Sequence, residues 1–256
     1  MRISFDFVKT VVISVILAVV FRSLFLQPFV IPSGSMKPTL LVGDYLFVSK
    51  FAYGWSKHSF PFSAVPISGR IMGKYPERGD VVVFKLPADQ KTDYIKRVIG
   101  LPGDTIRILQ GVLYVNDEKV EQQDAGYFVE SIPAGSSGRG RCLGSEQLAA
   151  ELHGECVRNN ILETLDNGHS YYTINSDNNS RFHDNYGEIT VPEGHLFFLG
   201  DNRDNSVDSR YRDRVGMVPF ENLVGKALFI FLSSEDNSGA WVFWKWRLSR
   251  MFTGIQ

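Results

Sequence analysis

The sequence predicts a mainly β body carried behind one N-terminal membrane-type helix. Three observations support this. Residues 8–26 form the one long apolar segment. Short runs rich in β-branched and aromatic residues then recur at 44–48, 81–84, 94–99, 105–108, 112–115, 195–199 and 223–232. Turn signals separate them, among them Arg78-Gly79-Asp80, Leu101-Pro102-Gly103-Asp104 and Val191-Pro192-Glu193-Gly194.

The N-terminal segment reaches the ~20 residues of a membrane span only if it runs from about Val8 to Leu26. Lys9 and Arg22 then lie near the two interfaces, where basic side chains can snorkel. A cleaved secretory signal would need a small-x-small site soon after the apolar run. None lies between Phe21 and Phe29, and Ser33-Gly34-Ser35 is far downstream. An uncleaved anchor is therefore the favoured reading. A short tail precedes it and about 230 residues follow. Long domains translocate largely regardless of flanking charge, so the body is placed outside the cytosol.

The 256 residues suffice for one large or two modest domains. Basic and acidic residues nearly balance, 27 against 28, which excludes the basic excess of a nucleic-acid binder. Two cysteines, Cys142 and Cys156, cannot form a disulfide framework; an oxidising compartment would allow one bridge, which their spacing does not establish.

The remaining elements follow from local pattern. Residues 51–75 carry Phe51, Tyr53, Trp55, Phe60 and Phe62 among glycines and prolines, which suits a packed aromatic hairpin or a membrane interface. Gly111 between two β-rich runs predicts a hairpin. Residues 131–145 read as a surface loop or linker, 146–165 as a helix interrupted at Gly154, and 175–186 as loop. Near the C-terminus, Trp241, Trp244, Leu248, Met251 and Phe252 share a helical face, though Lys245 intrudes. That pattern predicts either a helix lying on a membrane surface or one docked on the body.

Chemistry concentrates in three places. Pro32 and Pro38 bracket Ser33-Gly34-Ser35, and their fixed φ keeps the segment out of a helix. A Ser on so stiff a loop is either a nucleophile or part of a polar turn. A serine nucleophile needs a base. His195 opens an apolar strand, and no Gly-x-Ser-x-Gly elbow exists, so this histidine reads as structural. Lysine can serve if its pKa is lowered. Lys96 lies in an otherwise apolar strand, sharing a face with Tyr94 and Val98, while Arg97 lies with Ile95 and Ile99. Arg97 cannot deprotonate, which leaves Lys96 as the base of the two, or as a solvated strand lysine. The third place is residues 200–210, eleven nearly all polar residues directly after an apolar strand. The spacing of Asp201, Asp204 and Asp208 does not match the helix–loop–helix calcium pattern. Cys142, His153 and Cys156 lack a fourth partner at zinc-finger spacing.

Taken in order, the segments are specific. They are an N-terminal anchor, Pro-Ser-Gly-Ser-Met-Lys-Pro-Thr (32–39), Arg-Gly-Asp-Val-Val-Val-Phe (78–84), Tyr-Ile-Lys-Arg-Val-Ile-Gly-Leu-Pro-Gly-Asp (94–104) and Gly-Asp-Asn-Arg-Asp-Asn-Ser-Val-Asp-Ser-Arg (200–210). The chain from about Val8 to Leu232 resembles the bacterial type I signal peptidases, Ser/Lys-dyad proteases.

The resemblance implies Ser35 as nucleophile and Lys96 as general base. It implies Ser33 as the partner of the Ser35 N–H in the oxyanion hole, and Ser206 as the group orienting the lysine. Asp208 and Arg210 would form a supporting ion pair. Phe29, Ile31, Met36, Leu40, Tyr94 and Ile95 would line pockets for small substrate side chains. The implied fold is a signal-peptidase/LexA-like β fold. Its parts would be a tail (1–7), an anchor (8–27), a catalytic β domain split over 28–104 and 192–235, an inserted β domain (105–191) and a Trp-rich end (236–256). No cofactor, metal or nucleic acid is implied. The implied partners are preprotein signal peptides, the lipid bilayer and the secretion translocon. The implied place is the bacterial inner membrane, crossed once, with the catalytic domain on the periplasmic face. Residues 120–190 match the family loosely, and only one span is present where some members have two.

Overall fold

In a computed structural model, which describes residues 5–63, 65–131, 155–175, 184–235 and 241–255, the apolar run is one helix, α1 (Phe5–Leu24). Its 20 residues extend ~30 Å, the thickness of a bilayer core. Of these residues only Ser23 is buried against the body. The helix sits three residues earlier than the expected 8–27. It stops at Leu24 because the next residues are drawn into a sheet, and because Pro28 has no N–H to continue a helix.

Fifteen strands follow among the described residues. They are β1 (Leu26–Val30), β2 (Asp44–Ser49), β3 (Val81–Lys85), β4 (Asp93–Gly100), β5 (Thr105–Leu109), β6 (Val112–Val115), β7 (Glu118–Lys119), β8 (Glu121–Ser131), β9 (Glu155–Thr164), β10 (Ser170–Asn175), β11 (Tyr186–Thr190), β12 (His195–Leu199), β13 (Val218–Pro219), β14 (Leu223–Ser233) and β15 (Thr253–Gly254). The largest sheet has eight strands in the order β1-β2-β14-β3-β4-β12-β13, with β15 added on β14. A four-stranded sheet runs β11-β5-β6-β7, and a three-stranded one β10-β9-β8. The mainly β expectation holds.

The pleat explains the core. Along β3, Val81 and Val83 join one apolar cluster while Val82 and Phe84 join another on the opposite face. The first cluster gathers Ile31, Met36, Leu40, Leu46, Val48 and their neighbours beneath the Pro32–Pro38 loop. The third core, built on the four-stranded sheet, packs Ile106, Ile108, Leu113 and Val115 against Phe197 and Leu199 of β12. Register shifts bend the eleven-residue β14 in three places as it passes between β2 and β3. At one of these, a Cβ on Gly225 would fall 2.2 Å from the Ser49 carbonyl oxygen.

Three expectations are corrected. The helix expected over 146–165 is absent where described, because Glu155–Thr164 is β9, paired on both sides; residues 146–154 lie outside the described residues, as does the loop or linker expected over 131–145 except for Ser131, which ends β8. The loop expected over 175–186 ends in strand at Tyr186, and 176–183 also lie outside. The C-terminal helix is replaced by two single-turn pieces, Phe243–Lys245 and Leu248–Arg250, leading into β15. The cause is polar: Arg247 and Arg250 turn inward to the fully buried Asp44, which fixes the backbone and leaves Trp241, Trp244, Leu248 and Phe252 facing outward.

The aromatic segment after β2 packs on the body. Arg70 donates to the carbonyls of Tyr53, Gly54 and Leu223, and Trp55 Nε1 donates to Leu24 O at 3.1 Å, which ties this segment to the end of α1. Cys156 is fully buried and disulfide-bonded, its partner outside the described residues.

Candidate active site

Ser35 lies on the short turn that leaves β1, and Lys96 at the centre of β4. The sheet brings them together: Lys96 Nζ is 2.5 Å from Ser35 Oγ and donates to Ile95 O at 2.8 Å. Both are buried, Ser35 at 8% exposure and Lys96 at 3%. The pairing is geometric. Lys96 opposes Val82 of β3, so its stem runs over apolar neighbours, and its amine reaches within 5.7 Å of the Tyr94 ring centroid. Burial pushes the Lys96 pKa down to about 8, against the charges of Asp208 and Asp201, which raise it; Arg210 adds to the lowering. A lysine in this state can exist neutral near physiological pH, and its lone pair can take the Ser35 proton.

Ser33 is exposed, with its Oγ 3.5 Å from Ser35 Oγ. The Ser35 N–H has no hydrogen-bond partner among the described residues.

The run after β12 clamps this arrangement. Asn202 donates from its side chain to Gly34 O at 2.9 Å and from its backbone to Ser35 O at 3.1 Å. Asp201 accepts from Arg97 Nε and Nη2 at 2.8 and 2.7 Å and from Thr39 at 2.5 Å. One carboxylate therefore joins the strand of the lysine to the loop of the serine. Asp208 and Arg210 form a doubly hydrogen-bonded, fully buried pair, both bonds 2.8 Å. Burial pushes the Asp208 carboxyl up, but Arg210, the Gly200 N–H and Ser206 hold it below the usual range. Gly200 is needed for close approach: a Cβ there would fall 2.2 Å from Ser206 Oγ and 2.6 Å from Ser35 O.

Ser206 is close by and buried, yet its Oγ makes no hydrogen bond of ordinary geometry; it approaches the Asp208 carboxylate rather than bonding Lys96. The residues expected to line substrate pockets divide. Phe29 and Ile95 are partly buried against the cluster beneath the loop, and Tyr94 packs on the opposite cluster. Ile31, Met36 and Leu40 belong to the core, and Met36 and Leu40 have no accessible surface. They form a floor rather than a wall. His195 bonds its neighbour Glu193 O, away from this cluster. Among the described residues, no group of His, Cys, Asp or Glu is placed to hold a metal ion.

Sequence reasoning missed the supports from the three-stranded sheet. Glu163 of β9 takes both Arg203 Nη atoms, at 3.0 and 2.5 Å, and the Tyr171 hydroxyl at 2.8 Å. Arg97 stacks on the Tyr171 ring at 4.1 Å. Lys37, two residues after Ser35, pairs with Glu130 of β8, which Arg158 also holds. Arg203 sits inside a noted segment, but its partner Glu163 lies 40 residues away and carries no local signal.

Comparison with known proteins finds peptidases. The family model described as signal peptidase, peptidase S26, matches residues 4–232. The chain is 41% identical over 227 residues to a signal peptidase I of Rickettsia typhi, covering 86% of this chain and 76% of that one. It is 42% identical to a signal peptidase I of Rickettsia felis, with the same coverage. A solved signal peptidase I from Enterococcus faecalis matches 60% of this chain and 97% of its own at 25% identity; its TM-score, 0.32, carries no structural argument.

Proposed function

The chain belongs to the signal peptidase family, peptidase S26, and from that premise we propose that it is a membrane-anchored Ser/Lys endopeptidase that removes signal peptides from exported preproteins after small-x-small sites. The observation that carries this reading is the buried contact of 2.5 Å between Lys96 Nζ and Ser35 Oγ. Neutral Lys96 accepts the hydroxyl proton as Ser35 Oγ attacks the scissile carbonyl carbon. The carbonyl oxygen gains the charge, and the Ser35 N–H and the Ser33 hydroxyl donate to it; one such donor is worth about 3 kcal/mol. The protonated lysine then delivers its proton to the leaving amine, giving an acyl-enzyme and a released mature N-terminus. Water attacks the ester by the same proton route in reverse, freeing the signal peptide and Ser35.

Substrate placement follows from the sheet. Among the described residues β1 pairs only with β2, so its other edge offers backbone groups to an extended peptide. The apolar floor under the loop leaves shallow room for alanine-sized side chains, with Phe29 and Ile95 beside it. Asp201, Asn202, Asp208 and Arg210 hold the two reacting groups in register. Ser206 serves the lysine through the Asp208 carboxylate in this resting geometry. We assign residues 28–104 with 192–235 to the catalytic domain and 105–191 to an inserted one. The body lies on the periplasmic face, where signal peptides delivered by the translocon emerge.

The test is cleavage of a preprotein bearing Ala-x-Ala by the detergent-solubilised chain, with the cut mapped by mass spectrometry. Ser35→Ala and Lys96→Ala are each expected to lower kcat by at least ~10⁴-fold while the protein still folds. Retained cleavage in either folded variant overturns the dyad.

A further inference from the structure

A second lysine is buried away from Ser35. Lys50, at the end of β2, is 2% exposed, and among the described residues its ammonium makes a single long hydrogen bond, 3.4 Å to His58 O. Three donor hydrogens on an ammonium call for more. Lys50 lines a cleft of about 960 Å³ between the C-terminal end of α1, β1 and the aromatic segment. Two further buried polar atoms without partners belong to residues lining the same cleft, Ser23 Oγ and His58 Nε2. Three under-bonded buried groups converging on one opening mark a site built for a polar guest.

The charge at this cleft is one-sided. Arg22, Lys50, Lys57, Lys85 and Lys91 line it against Asp89 and Asp93. Lys85 already pairs with Asp93 at 2.9 Å, and Asp89 is taken up by hydrogen bonds from Lys91 N, Thr92 N and the Thr92 hydroxyl. The remaining excess is positive. Burial, then the charges of Lys57, Lys85, Arg70 and Lys50, push His58 down to about 4, and burial pushes Lys50 down to about 8 despite Asp93. A bound anion would reverse both effects.

Depth chooses the source of the anion. Val19, Arg22 and Ser23 are in the last turns of the helix that is long and apolar enough to cross a membrane. Val19 lies ~8 Å along the axis before Leu24, so the cleft spans the boundary between acyl chains and head groups. Phe29 and Val224 give it an apolar wall beside the basic groups. Neither Ser35 nor Lys96 lines it.

We propose that this cleft binds the phosphate head group of an anionic phospholipid, held by Lys50, His58 and Ser23 and surrounded by Arg22, Lys57 and Lys91. The lipid fixes the angle between α1 and the body at the bilayer surface. The binding is independent of cleavage and is read without it.

The full chain in an uncharged detergent is titrated with phosphatidylglycerol, phosphatidylcholine or glycerol 1-phosphate, and retained ligand is counted by native mass spectrometry. One phosphatidylglycerol is expected to be retained saturably, at least tenfold more tightly than phosphatidylcholine, and not displaced by equimolar glycerol 1-phosphate. Lys50→Met is expected to weaken it about tenfold, and Lys57→Gln with Lys91→Gln about fivefold for each lost charge. Should Lys50→Met not fold, the double variant decides. Equal retention of the two lipids, or retention indifferent to the folded variants, overturns the site. Displacement by glycerol 1-phosphate shows a free-phosphate site and overturns the lipid assignment. One-for-one displacement by a synthetic signal peptide gives the cleft to substrate and overturns it equally.

Discussion

An amine with a folded pKa of about 8 is roughly one-tenth neutral at pH 7 and nine-tenths neutral at pH 9. With neutral Lys96 as the proposed base, kcat/KM on a peptide substrate should rise about tenfold over that interval and level off above it. A flat profile would remove Lys96 from the role of base. The same shift bears on stability. The folded pKa lies below the ordinary 10.5, so below about pH 8 both states are protonated and the folded state carries the full penalty. That penalty is about 3 kcal/mol, and it disappears as pH rises from about 8 to 10.5. Lys96→Met keeps the stem and drops the charge. It should abolish cleavage yet raise stability at pH 7 by ~1–3 kcal/mol, less than the whole penalty because two hydrogen bonds are lost. Denaturant unfolding at pH 7 and pH 10 checks this: the gain should shrink at the higher pH. The apolar strand around Lys96 left it open in sequence between a base and a solvated strand lysine, and only the resemblance singled it out. Ser206 was read as its direct partner, but its buried Oγ makes no hydrogen bond to Lys96, a matter of rotamer that spacing alone does not decide.

The elements that could be read were those with a regular pleat. Val81–Lys85, with its unbroken β-branched run, and the hairpin about Gly111 follow from period and turn chemistry. β8 and β9 do not. Glu121–Ser131 is mostly polar, and Glu155–Thr164 mixes Arg158, Asn159, Asn160 and Glu163 with few apolar residues. Their pairing is set by each other and by contacts to the active-site loops, through Glu130 and Glu163, which no local window contains. The loop from Gly200 to Arg210 shows the same dependence at close range. Gly200→Ala places a Cβ against Ser206 Oγ and the Ser35 carbonyl. Rotation can carry Ser206 Oγ away but not its Cβ, which would lie 2.5 Å from the new methyl, so the backbones of Ser206 and Ser35 must move, and a displacement of ~1 Å costs ~10²-fold in rate. The expected result is a folded protein with kcat lowered about a hundredfold and KM little changed. Asp201→Asn acts on stability instead: it removes the carboxylate that accepts two bonds from the fully buried Arg97, and a loss of about 3–5 kcal/mol in denaturant unfolding is expected.

On the scale of the molecule, the apolar helix runs directly into the edge of the sheet that carries Lys96. α1 ends at Leu24 and β1 starts at Leu26, so a single residue joins membrane helix to sheet edge. Trp55 bonds the last helical carbonyl, and Lys50 N bonds Phe25 O at 2.9 Å. The outward-facing Trp241, Phe243, Trp244 and Phe252 add amphipathic surface of the kind found at bilayer interfaces. Ser35 lies five residues beyond β1, so its height above the bilayer is fixed by the same joint. A signal peptide is itself held in the bilayer, and a protease tethered at that depth meets it at high effective concentration. Removing residues 1–24 deletes the tether and little of the core, since Ser23 is the one buried residue of α1. The truncated protein should cut a short soluble peptide at a rate within a few-fold of the full chain. On a preprotein inserted in vesicles it should fall behind by ~10²-fold or more, the range that effective concentration supplies. Equal loss on both substrates would mean that the helix supports the fold rather than the encounter. No loss on the vesicle substrate would mean that the body finds the membrane without its anchor.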